Sequence, residues 1–421
     1  MGDSAALTTL LTQLRSTVAQ NPGLLDDAEF IYWEAVLAAR EKRTDEAIVT
    51  LERCILIAPN APAPQFTLAK LLAQNGELAR ACQHFEASIQ AAPDNAQAWL
   101  ALANTRLRLG HAQRAERAFT AALELGAPQA EALIGLAHSL EAQTRWQEAF
   151  ALLKPHFSDP SIDSQLIRLM VQHATPDQTR AYLTQVLIRT PEHVQAAHLL
   201  GGLDLSAQTV RASDAYVRAL FDGYASRYDV HMTEQMGYVV HKLLAQRVIA
   251  ICPLSAARLA PTSVLDLGCG TGLLGPELAG YALTGVDLSQ PMLELAKGRN
   301  YQSLVCAELG SFLSECAPSE FDVIVAADTI IYFGDVSEIM RQSARVLRPG
   351  GWLIFNVETP SSPTKNGFEQ TPVGRYGHES SYLEQLAREF AFVEISTQAI
   401  MPRREAGLAM SGIMFSAQRN Q

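Results

Sequence analysis

A chain of 421 residues exceeds what one hydrophobic core usually serves, so two domains, or a repeat array joined to a domain, are expected. Its 48% hydrophobic and 18% charged residues describe a soluble globular protein, and a net charge of −11 with no basic run argues against nucleic acid or an anionic membrane as partner. Six cysteines without a C-x-x-C pair, and a start lacking a basic then apolar leader, point to a cytoplasmic chain with no zinc site and no disulfide framework.

The first half repeats itself. Pro59 and Pro93 stand 34 residues apart, as do Ala47 and Ala81, and Leu51 and Phe85. Four blocks share this phase, at 28–61, 62–95, 96–129 and 130–163. Ala35, Ala69, Ala103 and Ala137 fall in the first helix of each block, and Ala47, Ala81, Ala115 and Ala149 in the second. Small residues there let paired helices approach, while Leu51, Phe85, Phe119 and Leu153 fill the seam. This period resembles the tetratricopeptide repeat, an α-solenoid in which each pair covers its neighbour's apolar face. The helical domain is placed at 1–207, with a ragged stretch at 164–207 and a helix at 5–20 closing the other end. The resemblance implies a peptide or protein segment bound on the concave face, near Lys70, Asn104 and His138, with Arg40, Gln74 and Arg108 close by. These residues do not reproduce the carboxylate clamp of chaperone-binding members.

The texture changes after Pro261. Apolar runs at 263–268, 282–287, 303–308, 321–328 and 352–358 read as strands, and 272–279, 290–299, 309–316 and 335–347 as helices. Strands alternating with helices predict a doubly wound α/β domain with a mostly parallel, seven-stranded sheet. Two late strands in "FAFVEISTQAI" and "SGIMFSAQ" are joined too briefly for a parallel return, so one of them is antiparallel to a neighbour. This second domain is placed at 208–421, with a helical lid at 208–250 and the α/β core at 261–421.

Residues 264–275 read "VLDLGCGTGLLG". Gly270, Gly272 and Gly275 fit the dinucleotide fingerprint, and the loop is expected to open a helix whose N–H groups face the ligand. Asp266 speaks for another ligand. A carboxylate at the strand tip repels a pyrophosphate and suits an ammonium group, and S-adenosyl-L-methionine carries an ammonium, a carboxylate and a ribose together. Gly268, Cys269, Gly270 and Gly272 would then cradle it. Asp287 ends the second strand, where an acid can accept ribose hydroxyls. Leu288 and Met292 can flank an adenine, with Glu308 near its amino group and Ala307 at backbone reach. With "FDVIVAADTIIYF" and "VLRPGGWLIF", the stretch from about 214 to 421 resembles the Rossmann-like methyltransferases. Asp266, Gly268, Gly270, Gly272, Asp287 and Asp328 fall on the motif positions. Together with the upstream repeats, it is similar to a bacterial group of repeat-containing class I methyltransferases.

That resemblance implies further roles. "FDGYASRYD" looks like a lid segment, making Tyr224, Arg227 and Tyr228 candidates to contact the cofactor. Asp328 and Tyr332 in "DTIIYF" would line the methyl-transfer side. "GRYGHESSYL" would bring Arg375, Tyr376 and His378 to the acceptor pocket, Arg375 holding a carboxylate and His378 acting as general base. The expected reaction is methyl transfer to a peptide, protein or carrier-bound acceptor recruited by the repeats. A free small-molecule acceptor, a non-catalytic scaffold that binds the cofactor, and a distant NAD(P) oxidoreductase stand as alternatives.

Overall fold

The protein is described by a computed structural model covering residues 27–203, 210–254, 260–360, 362–405 and 408–421. The expected helix at 5–20 and the expected domain boundary at 207 lie outside the described residues. The chain divides into two compact units, one ending at His173 and one spanning Ala174–Gln421.

In the first unit, helices pair as the spacing predicts: Ala28–Arg40 with Thr44–Ile57, Pro62–Gln74 with Leu78–Ala91, Ala96–Arg108 with Ala112–Glu124, and Gln129–Glu141 with Trp146–Leu153. Helix Pro160–His173 follows. Asp27 and Asn95 cap helix starts by accepting backbone N–H groups, while Gly76 and Gly110 carry the left-handed conformation just past helix ends. The alanines at the eight repeat positions are fully buried, as are Leu51, Phe85, Phe119 and Leu153. Helix approach is close enough that a Cβ on Gly135 would collide with the Phe119 ring. Ion pairs Arg80–Glu52, Arg106–Glu86, Arg145–Glu116 and Arg168–Glu141 join successive repeats. Exposed pairs contribute at most ~1 kcal/mol each, so the alanine seam carries the stability and the charges fix register.

The second unit starts earlier than the expected boundary. Helices Pro176–Arg189 and Val194–Leu203 group with the α/β domain rather than with the repeats. The reason is local burial. The His198 ring stacks on Tyr216 at 4.1 Å, and its Nε2 lies 2.8 Å from the Gly374 carbonyl, with Leu199 buried beside it.

The sheet has strands β1 (Ser263–Leu267), β2 (Ala282–Asp287), β3 (Tyr301–Cys306), β4 (Phe321–Ala326), β5 (Leu347–Glu358), β6 (Phe368–Gln370), β7 (Tyr376–His378) and β8 (Phe392–Ile400). Beyond a small β9–β10 hairpin (Arg404–Glu405, Leu408–Ala409) comes β11 (Gly412–Arg419). Seven strands lie in the order β3-β2-β1-β4-β5-β11-β8, parallel except that β11 runs antiparallel to both neighbours. The fold class matches the expectation, with the β6–β7 hairpin added beside β5. Alternation puts Leu265, Phe355 and Phe415 in one core and Val264, Val325 and Ile354 in the other. Asp266 shares the face of Val264, the side covered by helix Val240–Ile251.

The expected helix at 272–279 does not form. Only a 3₁₀ turn, Gly275–Leu278, follows the glycine loop. Pro276 sits in that turn, and the chain passes so near Arg299 that a Cβ on Gly275 would strike its carbonyl.

A chain beginning at residue 174 should therefore be more stable than one beginning at 208. Losing the buried Leu199 and the His198 contacts should lower the melting temperature by about 5–10 °C, read by calorimetry on both truncations.

Candidate active site

The site lies at the carboxyl ends of β1, β2 and β4, where a doubly wound sheet binds its ligand. Gly268 (φ +72°) and Gly272 (φ +82°) are in the left-handed region, and a Cβ on either would meet Thr329, or Tyr301 and Ala296. Gly270 (φ +54°) instead faces open space. The loop's donors are turned inward. Gly268 and Cys269 N–H donate to the Val286 carbonyl at 2.7 and 3.0 Å, Gly270 to Asp287 Oδ2 at 2.8 Å, and Gly272 to the Cys269 carbonyl at 2.9 Å. The expectation that these amides and a helix N-terminus face the ligand is thus corrected: four N–H groups are taken by the chain itself, and no α-helix follows.

A cavity of about 690 Å³, counting its open mouth, lies above this loop, within the ~300–1,000 Å³ typical of small-molecule sites. Asp287, Leu288, Met292 and Glu308 line one side, and Asp328, Tyr332 and Phe333 another. Residues 211–221 form a further wall through Arg211, Val217 and Phe221. That segment is pinned to the loop after β4: Ala212 N–H donates to the Tyr332 carbonyl, and the Gly334 and Asp335 N–H groups to the Val210 carbonyl. A second, smaller lobe adjoins it, lined by Asp266, Cys269, Thr271, Tyr238 and His241, and Tyr228 borders both.

Asp266 is 1% exposed. Its Oδ2 accepts from the Tyr301 hydroxyl at 2.6 Å, while Oδ1 is buried without a hydrogen-bond partner. Burial, with Asp287 nearby, pushes its carboxyl up to about 7 despite the Tyr301 bond. An orphaned buried carboxylate oxygen fits an ammonium group and fits no phosphate. Asp287 accepts from Ser289 N–H and Gly270 N–H, both at 2.8 Å, and each oxygen keeps a further lone pair for a ligand hydroxyl.

Several predicted residues are placed elsewhere. Ala307 is not among the cavity's lining residues, and its N–H donates to the Asp287 carbonyl at 3.1 Å. Glu308 does line the cavity, yet it caps helix Leu309–Glu315 through Ser311 N–H and pairs with Arg211 at 2.7 Å. In the lid, Tyr228 reaches both lobes, but Tyr224 bonds His231 and Arg227 lies exposed over the Tyr224 ring. Asp229, the last residue of that segment and assigned no role from the sequence, ties it down through Thr271 at 2.5 Å and Arg299 at 2.6 Å.

The predicted catalytic cluster is mostly a brace. Asp328 lines the cavity at a strained φ of +50°, but its Oδ1 accepts from Asn356 at 2.5 Å and its Oδ2 pairs with Arg403 at 2.5 Å. Arg403 also grips Glu358 and Glu405, and Arg375 pairs with the same two acids at 2.7 Å each. Arg375 therefore has its guanidinium occupied rather than offered to a substrate. Tyr376 is fully buried against Phe368. His378 is fully buried with Nε2 3.0 Å from the Gly334 carbonyl, and burial pushes its imidazole down to about 4. None of the three lines the cavity. Arg403, Asn356, Glu358 and Glu405 went unnoticed because the arginine lies in a connection and the others within or beside strands, with no spacing signal. Among the described residues no group of three or more His, Cys, Asp or Glu could hold a metal ion, and no helix is long and apolar enough to cross a membrane.

Residues 265–355 match the methyltransferase domain family, and residues 38–105 and 100–154 match tetratricopeptide repeat families. The chain thus carries tetratricopeptide repeats followed by a methyltransferase domain. It is similar to the ubiquinone biosynthesis O-methyltransferase of Thiobacillus denitrificans, 38% identical over 106 residues, which are 24% of this chain and 46% of that protein. The protein of the same name from Pseudomonas syringae pv. tomato is 33% identical over 106 residues, with the same 24% and 46% shares. The chain spans about half the length of the curated relatives it matches. A solved structure, the Burkholderia thailandensis 1,6-didemethyltoxoflavin-N1-methyltransferase, aligns over 49% of this chain and 88% of that chain, at 19% identity and a TM-score of 0.39.

Because the Asp266 carboxyl lies above its unfolded value, the ionised form is penalised in the empty fold above pH 7, and the penalty fades as pH falls toward 4. Asp266→Asn should raise the melting temperature at pH 8, with the gain shrinking at pH 5; thermal scans at both pH values read this. Arg403→Ala would leave Glu358 and Asp328 buried without this partner and should cost about 3–5 kcal/mol in chemical denaturation.

Proposed function

We propose that the protein is an S-adenosyl-L-methionine-dependent methyltransferase acting on a peptide, protein or carrier-bound acceptor held by its repeats. One observation carries the cofactor half of this reading: the buried, unpartnered Asp266 oxygen beside a loop whose amides at 268, 269, 270 and 272 are already engaged. A pyrophosphate would meet a carboxylate and few donors; an ammonium meets its acceptor. Asp287 is assigned the ribose hydroxyls, Leu288 and Met292 the adenine faces, and Glu308 with Arg211 the rim beside them.

When bound, S-adenosyl-L-methionine supplies a methyl group already activated on a sulfonium. The chain's part is to orient and to exclude water. Phe221, Tyr228 and Tyr332 wall the cavity as an edge-on aromatic cluster, Phe221 lying 5.6 Å from Tyr332 and 6.3 Å from Tyr228. Burial pushes the Tyr332 phenol up, so it stays protonated and can donate a hydrogen bond to an acceptor. Asp328, with both oxygens paired to Asn356 and Arg403, is a fixed wall of the cavity.

The repeats support the acceptor half. Of the concave-face candidates, Arg108 donates to the Ala73 carbonyl of the preceding repeat, and His138 meets Gln165 of the helix after the fourth repeat, so both tie neighbouring elements. Lys70 and Asn104 remain the better candidates for a bound segment. The relatives' O-methyltransferase names favour a second reading, a free small molecule methylated on oxygen. Methyl-labelled cofactor separates the two. Label entering macromolecules of a cell extract with the full chain, but at least tenfold less with a chain beginning at 174, supports the first. Equal label in the small-molecule fraction from both chains supports the second.

A further inference from the structure

The described residues around the larger cavity are uneven in charge. Asp214, Asp287, Glu308 and Asp328 line it against a single cation, Arg211. Arg211 is itself paired with Asp214 and Glu308. Behind Asp328 the excess persists, since Arg375 and Arg403 meet three carboxylates, Asp328, Glu358 and Glu405. A sulfonium nucleoside brings one net positive charge and leaves part of this excess unanswered. An anionic acceptor would find repulsion and no unengaged cation among these lining residues, whereas a cation is drawn in.

Aromatic rings mark where such a cation would lodge. Phe221, Tyr228 and Tyr332 line the cavity, with Phe221 inclined 60° to Tyr228 and 80° to Tyr332. Rings so inclined leave faces unstacked, and the face of an aromatic ring attracts an ammonium ion. A third observation concerns bases. The described lining residues include no histidine, lysine or cysteine. Each carboxylate is engaged: Asp214 and Glu308 by Arg211, Asp287 by two N–H groups, and Asp328 by Asn356 and Arg403. A hydroxyl must give up a proton to a base as it attacks, but a neutral amine attacks through its own lone pair. We propose that the acceptor atom is an amine nitrogen, held against Phe221, Tyr228 and Tyr332 within this acidic wall.

The inference rests on the cofactor reading above and names the chemistry of the acceptor within it. The amine arrives as an ammonium and gives its proton to solvent against the like charge of the sulfonium. Its lone pair then forms the C–N bond while the C–S bond breaks and that electron pair stays on sulfur. Positive charge thus passes from sulfur to nitrogen, into the space walled by rings and acids, and the methylated ammonium loses a proton to solvent. The rings stabilise this charge where it develops, which is the step an acceptor oxygen would not need.

The test has two arms, both on the full chain. In the first, methyl-labelled cofactor is offered with a cell extract and with the same extract after its amines are acetylated and its hydroxyls restored by hydroxylamine. Label entering the blocked extract should fall about tenfold or more; equal labelling of the two would overturn the proposal. In the second, calorimetry under saturating S-adenosyl-L-homocysteine compares choline, its uncharged carbon isostere neohexanol, and the anion tert-butylacetate. Choline should bind about tenfold more tightly than neohexanol, with tert-butylacetate weakest. Phe221→Leu should cut that preference about threefold or more, and Phe221→Tyr should keep it. Equal binding of choline and neohexanol, or tightest binding of tert-butylacetate, would overturn the amine assignment while leaving the cofactor reading intact, and this arm decides if neither extract takes label. A full chain that fails to bind S-adenosyl-L-homocysteine would remove the cofactor reading and the assignment together.

Discussion

A carboxylate buried beneath a loop of glycines sets the terms for the rest of the catalytic unit. Tyr301, arriving from β3, holds one oxygen of Asp266 and leaves the other bare. For Asp266 to sit there, the loop must pass close above β1, which needs left-handed backbone at Gly268 and Gly272 and tolerates no Cβ at either. The inward-turned amides follow from the same crowding, since the loop closes onto Val286 and the Asp287 side chain. Ligand choice is thereby decided by what the loop cannot offer as much as by what the acid can.

The opposite wall is stiffened by charge. Two arginines, Arg375 and Arg403, meet three carboxylates, Asp328, Glu358 and Glu405, in a nearly dry cluster. Such groups are costly to desolvate and contribute little net stability, but each fixes the geometry of its partner. Here the cluster joins β4, β5, the β7 edge and the connection into β11, so the end of the sheet nearest the cavity is braced by all four. Asp328 keeps its left-handed backbone because Asn356 and Arg403 hold it from both oxygens.

Polar residues gathered within ten positions of sequence can look like chemistry. "GRYGHESSYL" did, and its arginine, tyrosine and histidine instead anchor a hairpin whose β7 strand pairs with β5. The helix Val194–Leu203 shows the same effect at larger scale. Its composition continues the repeats, yet His198 and Leu199 bury against that hairpin and Tyr216 rather than against another helix pair. Local pattern names a helix; only its packing partner names the unit it serves.

Periodicity was enough for the repeats, because the alanine seam and the glycine stops act between near neighbours in sequence. It was enough for the alternation of strand and helix as well, and for the acid at the tip of β1, since these follow from local conformation and from side chains alternating along a strand. It failed at the 3₁₀ turn after the glycine loop, where Arg299, far along the chain, crowds Gly275. It failed for Arg403 too. Whether a buried arginine is paired depends on atoms that only folding brings together.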